Sequence, residues 1–364
     1  MCQDYCLGMD LVVGQRLKKL PGPVLVTGHT GFKGTWLTLL LQHLNIPVIG
    51  LSLAPEKDSL YDRASRMGFI PEEFLDIRNI KSVTDFMTIH EPSAVIHMAA
   101  QPLVLESYRT PRETFETNVM GTVNVLEAAF KTASVEAVVV VTTDKVYRND
   151  NSGRSFNEQD PLEGKDPYSG SKVGTEASVA SWQQIAKITG GPRVISVRAG
   201  NVIGGGDWSK NRLVPDLIRG LVSGETVQIR NPESTRPWQH VLDPLHGYLL
   251  ALEAILNGED FLSLNFGPLD KSMSVREVCQ EVKFERRFRN KLSLEFQNHP
   301  DEKESIVLGL DPTKARELLN WQQHWSQKQS ISRTLDWWAD LIVDGENPNV
   351  ICNSQIERYV EGSK

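Results

Sequence analysis

A run of apolar residues that leads straight into spaced glycines and then into a helical pattern leaves a chain few folds to choose from. Residues Val24-Leu25-Val26-Thr27-Gly28-His29-Thr30-Gly31-Phe32-Lys33-Gly34 have this form, with glycines spaced G-x-x-G-x-x-G. Leu37, Leu40, Leu41 and Leu44 then follow at i, i+3, i+4 and i+7. Glycine lets the backbone turn tightly and approach a bound group closely. The amides and positive dipole of the helix N-terminus add a seat for an anion. A strand before the glycines and a helix after them predict a β-α-β unit that cradles the diphosphate of a dinucleotide.

The same rhythm continues downstream. Val48-Ile49, Ala94-Val95-Ile96, Val138 to Val141 and Val194 to Val197 read as buried strands, and the segments near 111–133 and 168–188 are long enough for crossover helices. The fold class predicted is α/β: a Rossmann-like, doubly wound parallel sheet with a smaller C-terminal substrate-binding lobe. After about Gly200 the alternation fades and Gly, Pro, Asp and Trp become frequent. The expected layout is an N-terminal extension over 1–20, a dinucleotide-binding domain over 21–200, an interleaved lobe over 201–345 and a peripheral tail over 346–364. Strands at 226–230 and 262–266 are expected to rejoin the main sheet.

Composition narrows the partners. With 40% hydrophobic and 23% charged residues the chain has the means to fold, and 39 Lys+Arg against 46 Asp+Glu give a net charge of −7. That sign argues against nucleic acid or an anionic membrane as the main partner, so anionic small ligands need locally placed positive charge. Cys2, Cys6, Cys279 and Cys352 form no C-x-x-C pair, which predicts neither a metal site nor a redox site. No stretch resembles an export signal or a membrane span, and a cytoplasmic home is expected.

Two further clusters carry chemistry. The strand Val138–Val141 ends in Thr142-Thr143-Asp144-Lys145, which places hydroxyl, carboxylate and amine at a strand's carboxyl end, where such sheets bind ligands. In Asp166-Pro167-Tyr168-Ser169-Gly170-Ser171-Lys172, Asp166 suits an N-cap and Pro167 the first helical position. Tyr168 and Lys172 then share a helix face at i, i+4, and a nearby ammonium is expected to lower the tyrosine pKa and fit it to accept a proton from an alcohol. Alone, Y-x-x-x-K is an ordinary exposed pair. Here it follows the cradle and the Thr-Asp-Lys tip in order.

With these residues in view the chain resembles the extended short-chain dehydrogenase/reductases, and among them the nucleotide-sugar 4,6-dehydratases, over roughly 22–345. The resemblance rests on the cradle and on Ala99-Ala100-Gln101-Pro102-Leu103-Val104, Thr117-Asn118-Val119-Met120-Gly121-Thr122, Thr143-Asp144-Lys145 and Asp166-Pro167-Tyr168-Ser169. It extends to Arg198-Ala199-Gly200-Asn201-Val202-Ile203-Gly204-Gly205-Gly206-Asp207-Trp208 and Arg236-Pro237-Trp238-Gln239-His240-Val241. The dTDP-type dehydratases carry Glu at the Lys145 position, so Asp-Lys favours the CDP-glucose branch. The resemblance implies a hydro-lyase with bound NAD that oxidises the sugar at C4, eliminates water across C5 and C6 and returns hydride to C6, feeding deoxysugars to cell-surface polysaccharide such as lipopolysaccharide.

By the same resemblance Tyr168, helped by Lys172 and Thr143, takes the C4 hydroxyl proton, and Asp144 protonates the departing C6 hydroxyl. Lys145 acts at C5 as a base or as the charge that stabilises the enolate. Gly28, Thr30, Gly31, Phe32, Lys33, Gly34, Asp76, Ile77, Ala99, Ala100, Gln101 and Asn118, with Tyr168 and Lys172, are implied for the cofactor. Asn201, Arg212, Arg236 and His240 are implied for the nucleotide sugar. The tip of the second strand, Gly50-Leu51-Ser52-Leu53-Ala54-Pro55, lacks the carboxylate that often meets the ribose of NAD, which leaves NADP open. Lys33 and His29 have two readings, phosphate contact or solvent. Trp208 and Trp238 also have two, packing or base stacking. Relatives pair as homodimers through the helices near 111–133 and 168–188. Rival readings are an epimerase or a dehydratase acting on GDP-mannose or dTDP-glucose, and a cofactor-sensing protein without turnover.

Overall fold

The strand-like runs form a single seven-stranded sheet in the computed structural model, which describes residues 16–149, 152–270, 272–288, 291–297 and 309–362. Its strands are β1 (Val24–Thr27), β2 (Val48–Ser52), β3 (Glu72–Phe74), β4 (Ala94–His97), β5 (Ala137–Val141), β6 (Arg193–Ala199) and β7 (Ser263–Phe266). They lie in the order β7-β6-β5-β4-β1-β2-β3 and all pair in parallel. Val24 is matched with Val48 on one side and Ala94 on the other, so the order reverses at β1 and a crevice opens beyond its carboxyl end. β5 is apolar and buried along its whole length because helices cover both faces of the sheet.

Alternation along β1 sends Val24 and Val26 into one core and Leu25 into the other. The helices used below are α1 (Phe32–His43), α2 (Ile80–His90), α3 (Gly121–Lys131), α4 (Pro167–Thr189), α5 (Leu213–Ser223), α6 (Leu242–Leu256), α7 (Gln327–Ile342) and α8 (Pro348–Val360). α1 and α6 contribute Leu37, Leu40, Leu245 and Leu249 to the first core, and α2, α3 and α4 contribute Phe86, Val125 and Val179 to the second. α4 starts as its sequence predicts: Asp166 accepts from the Ser169 amide at 2.9 Å, and Ser169 Oγ accepts from the Asp166 amide at 3.1 Å. The segment expected as one helix over 111–133 is instead Pro111–Phe115, a π-helical turn over Glu116–Met120, and α3.

Three expectations are corrected. Ser263–Phe266 rejoins the sheet, but Val227–Arg230 does not; it pairs with Leu294–Gln297 in a separate two-stranded sheet. Its Gln228 and Arg230 are exposed, and a strand with one wet face does not fit a sheet covered on both sides. The region beyond 346 is not peripheral, because α8 buries Ile351, Cys352, Ile356 and Tyr359 against α1 and α7. Likewise Leu17, in the segment read as an extension, is fully buried, and its amide and that of Arg16 donate to Glu253 on α6. Cys2 and Cys6 lie outside the described residues. One contiguous core runs from Leu17 to Tyr359, so the later lobe is packed onto the sheet rather than hung beside it. Among the described residues no helix is long and apolar enough to cross a membrane.

Candidate active site

The cradle is built to be close-fitting. Gly28 has φ +75°, in the left-handed region, and a Cβ there would lie 2.7 Å from the Ala99 amide nitrogen. A Cβ on Gly34 would lie 2.2 Å from the Gly28 carbonyl oxygen. No side chain caps the N-terminus of α1, whose first-turn amides therefore keep the capacity to hold an anion. Phe32 packs toward Gly204. Thr30 Oγ1 meets Ser52 Oγ at 2.7 Å and donates to the Leu53 carbonyl at 3.0 Å, so the tip of β2 presents hydroxyls.

His29 takes neither of its two readings. Its ring is fully buried over Gly50, and Nε2 meets Glu72 Oε2 at 2.7 Å, while the Tyr61 hydroxyl donates to the same carboxylate. Burial lowers the His29 pKa and Glu72 opposes that shift. Lys33 also turns from solvent: its Nζ donates to Tyr248 Oη at 3.3 Å.

Beside the cradle, a directional chain of hydrogen bonds fixes the end of β4. The Thr122 hydroxyl donates to the Asn118 carbonyl at 2.7 Å, so it accepts from His97 Nε2 at 3.0 Å; His97 Nδ1 is then the acceptor for the Thr27 hydroxyl at 2.7 Å. Thr27 Oγ1 in turn accepts from the amides of Met98 and Ala99. His97 is buried and held neutral, its pKa lowered to about 3 by burial. This holds the Ala99 backbone beside Gly28.

Asn118 and Gln101 are occupied with holding this loop. Asn118 Oδ1 accepts from the Gln101 amide at 2.8 Å, and Nδ2 donates to the Gln101 carbonyl and to Ser171 Oγ. The Gln101 side chain binds Leu103 and Thr114. These bonds tie the β4 tip to α4. Asp76 makes a bidentate pair with Arg78, and Ile77 lies buried beneath Gly121.

The chemical cluster assembles at the tip of β5. Asp144 is 1% exposed; its Oδ1 accepts from the Thr143 hydroxyl at 3.0 Å, and Lys145 Nζ stands 3.8 Å away. Its other oxygen, Oδ2, is buried without a hydrogen-bond partner among the described residues, near the Gly200 backbone. Lys145 is about one-third exposed. Lys172, buried on α4, donates to the Val141 carbonyl at 3.1 Å, and burial lowers its pKa to about 8 while Glu176 opposes. Tyr168 corrects an expectation: burial pushes its pKa up to about 12, and the groups that draw it down are the Thr143 hydroxyl and Arg212 rather than Lys172. Desolvation of the phenolate outweighs them.

The lobe residues divide. Arg212 pairs with Asp207 at 3.3 Å with its side chain 37% exposed, and its charge reaches both Tyr168 and Lys33. Asn201 follows β6, and its carbonyl accepts from the Gln239 amide; Arg236 donates to the Thr235 carbonyl. His240 does not face the crevice. It is fully buried, edge-on to Trp36 and Trp325, with its pKa lowered to about 3 by burial. Trp238 is core, with Nε1 donating to the Met273 carbonyl. Trp208 packs against Trp338 with the Arg63 and Arg219 guanidiniums on its ring, which favours packing over base stacking.

Sequence reasoning missed the buried support under the cluster. Glu176 accepts from Arg198, Thr142 and Ser196, and Arg198 also donates to Tyr147 Oη at 2.7 Å. The one signal was the i+4 spacing of Glu176 from Lys172. Tyr248, the partner of Lys33, had none.

Comparison with known proteins agrees with this architecture. The chain is 38% identical over 350 residues to the CDP-glucose 4,6-dehydratase of Salmonella typhimurium, an alignment covering 93% of this chain and 96% of the relative. The dTDP-glucose 4,6-dehydratase of Streptomyces venezuelae, solved with NAD bound, superposes with a TM-score of 0.75 at 24% identity, covering 90% of this chain and 99% of that one. The UDP-glucose 4-epimerase of Thermotoga maritima, solved with UDP-glucose, gives 0.77 at 22% identity, covering 88% and 99%. These two likenesses concern the fold. The sequence model of one family matches residues 24–267, from β1 through β7. The chain belongs to the NAD dependent epimerase/dehydratase family.

Proposed function

We propose that this protein is a nucleotide-sugar 4,6-dehydratase that converts CDP-glucose to CDP-4-keto-6-deoxyglucose with bound NAD, in the cytoplasm, as a step toward deoxysugars of cell-surface polysaccharide. The observation that carries the reading is Asp144 Oδ2, a buried carboxyl oxygen without a partner among the described residues, in the same cluster as Tyr168. Interconversion at C4 needs no such acid, whereas expulsion of a hydroxyl from C6 does. The identity to the Salmonella CDP-glucose 4,6-dehydratase supports the choice of nucleotide.

The residues of the cradle fit the cofactor: Gly28, Gly31 and Gly34 let the backbone close in, and the amides of Phe32 and its neighbours face the diphosphate. Thr30 and Ser52 offer hydroxyls to the ribose, with Asp76 and Ile77 toward the base and Ala99 and Ala100 at the floor. Bound there, the cofactor would supply reversible hydride transfer, out at sugar C4 and back at C6. Tyr168 takes the proton of the C4 hydroxyl, with the Thr143 hydrogen bond and the Arg212 charge drawing its pKa down and Lys172 one turn along α4. The resulting ketone acidifies C5. Lys145 acts there, as base or as the cation that stabilises the enolate, while Asp144 gives a proton to the hydroxyl leaving C6. Arg212, Arg236 and Asn201 bind the nucleotide-sugar portion through forked charge and amide contacts.

The protein acts as a homodimer through the face formed by Pro111–Phe115, the turn Glu116–Met120, α3 and α4, with Val104–Arg109 beside it. Leu105, Tyr108, Phe115 and Met120 are exposed apolar side chains in this region, as are Ile185 and Ile188 toward the end of α4. Incubation with CDP-, dTDP-, GDP- and UDP-hexoses tests the function. A 4-keto-6-deoxy product from CDP-glucose alone is expected, and a C4 epimer in its place would refute the assignment.

A further inference from the structure

Lys33 stands in the first turn of α1, yet its side chain leaves the end of that helix. Its amine reaches Tyr248 Oη at 3.3 Å and lies 5.7 Å from the centre of that ring. Tyr248 is fully buried on α6, which pins the amine beside that helix. Charges act on it from each surrounding wall: Arg212 and Asp207 from the loop before α5, Lys172 from α4 and Asp144 from the tip of β5. Two diphosphates belong in this crevice, and the backbone amides of α1 already answer the cofactor's. The charge of Arg212 acts on the amine, and the Arg212 side chain, paired with Asp207 at 3.3 Å, stays 37% exposed.

We propose that Lys33 is a ligand of the substrate's diphosphate, held jointly with Arg212, and that arrival of this diphosphate is coupled to uptake of a proton by the Lys33 amine. The inference rests on the nucleotide-sugar reading above. Before the ligand arrives, burial and then the cations Arg212 and Lys172 hold the Lys33 pKa down to about 7, with Asp144 and Asp207 opposing. A diphosphate reverses that balance and favours the ammonium. At about pH 7.5 an amine of this pKa is about one-quarter protonated, so full charging takes up about three-quarters of a proton from solvent.

The test is calorimetric titration of the NAD-containing protein with CDP at about pH 7.5, in two buffers of different ionisation enthalpy. Bound NAD is counted in each preparation. The wild type is expected to take up a large fraction of a proton. Lys33→Met is expected to take up none and to bind CDP about 10- to 100-fold more weakly at equal NAD content. Lys33→Arg, permanently charged, is expected to bind CDP tightly without uptake, and it separates loss of a ligand from loss of the fold. Undiminished uptake or affinity in Lys33→Met overturns the proposal while leaving the dehydratase reading intact. So does loss of NAD with unchanged CDP binding, which would give the amine to the cofactor. If the wild type binds none of CDP, dTDP, UDP or GDP, the nucleotide-sugar reading itself falls.

Discussion

Replacing Asp243 by Asn is expected to make the protein more stable at neutral and alkaline pH, although it removes a charged group at the favourable end of a helix. Asp243 lies fully buried in the first turn of α6. Its Oδ1 accepts from the His324 amide at 2.8 Å and from Tyr359 Oη at 3.0 Å, and its Oδ2 has no partner among the described residues. Burial pushes its pKa from 3.8 up to about 7, against those two hydrogen bonds and one from the Trp325 backbone. A group whose folded pKa is raised contributes its stability below the unfolded value and loses it as pH rises through the folded one. Here the loss runs from about pH 4 to about pH 7.

Three pKa units at roughly 1.36 kcal/mol each set an upper bound of about 4 kcal/mol. The N-terminal dipole of α6 offsets about 1 kcal/mol, which leaves on the order of 3 kcal/mol. Asparagine keeps the Oδ1 acceptor and cannot ionise. His246, its pKa lowered to about 3 by burial, stays neutral across this window, and burial also lowers the pKa of His324. Urea or thermal unfolding of both proteins from about pH 4.5 to about pH 8 should show the variant gaining on the wild type as pH rises. A difference that does not change with pH would refute the reasoning.

Gly34→Ala should cost at least about tenfold in retained cofactor, because its new methyl meets the Gly28 carbonyl at 2.2 Å; Gly31→Ala, at 3.3 Å, should be milder, as measured by NAD released per mole of protein. Lys145→Met should lower dehydration by about 10²- to 10⁴-fold while C4 oxidation survives, read as near-ultraviolet absorbance of retained reduced nicotinamide; unchanged dehydration would exclude both roles of Lys145. Joint replacement of exposed Tyr108 and Met120 by Glu should give a monomer by light scattering, and an unaltered mass would place the dimer face elsewhere.

Short-range grammar made much of this molecule legible. The G-x-x-G-x-x-G spacing, the Asp166-Pro167 helix start and the Thr143-Asp144-Lys145 tip each depend on residues a few positions apart, and each stands where the spacing puts it. What escaped depends on distant segments. Lys172 at i+4 suggested a lowered tyrosine pKa, but spacing carries no information about how dry the Tyr168 hydroxyl becomes. His240 shares a motif with Arg236, yet it pairs beside Ile203 and turns into a bed of tryptophans supplied by α1 and the segment before α7. Lys33 finds its partner on α6, 215 residues along the chain. The tail looked peripheral because its few apolar residues show their stripe only once α1 is beside them.

The placement of α8 has a consequence for how the chain is made. α1, which carries the cradle, is complete at His43, but the helix that covers its outer side begins about 300 residues later, at Pro348. A ribosome therefore releases the strand and glycines of the cofactor seat long before their helix can bury its flank. During that interval the flank of α1 that α8 will cover is open to chaperones and to wrong partners. Closure by Ile351, Ile356 and Tyr359 is one of the last folding events. A premature stop that spares every residue of the proposed chemistry, but removes the thirteen residues of α8, would still leave the cofactor seat on an unsupported helix.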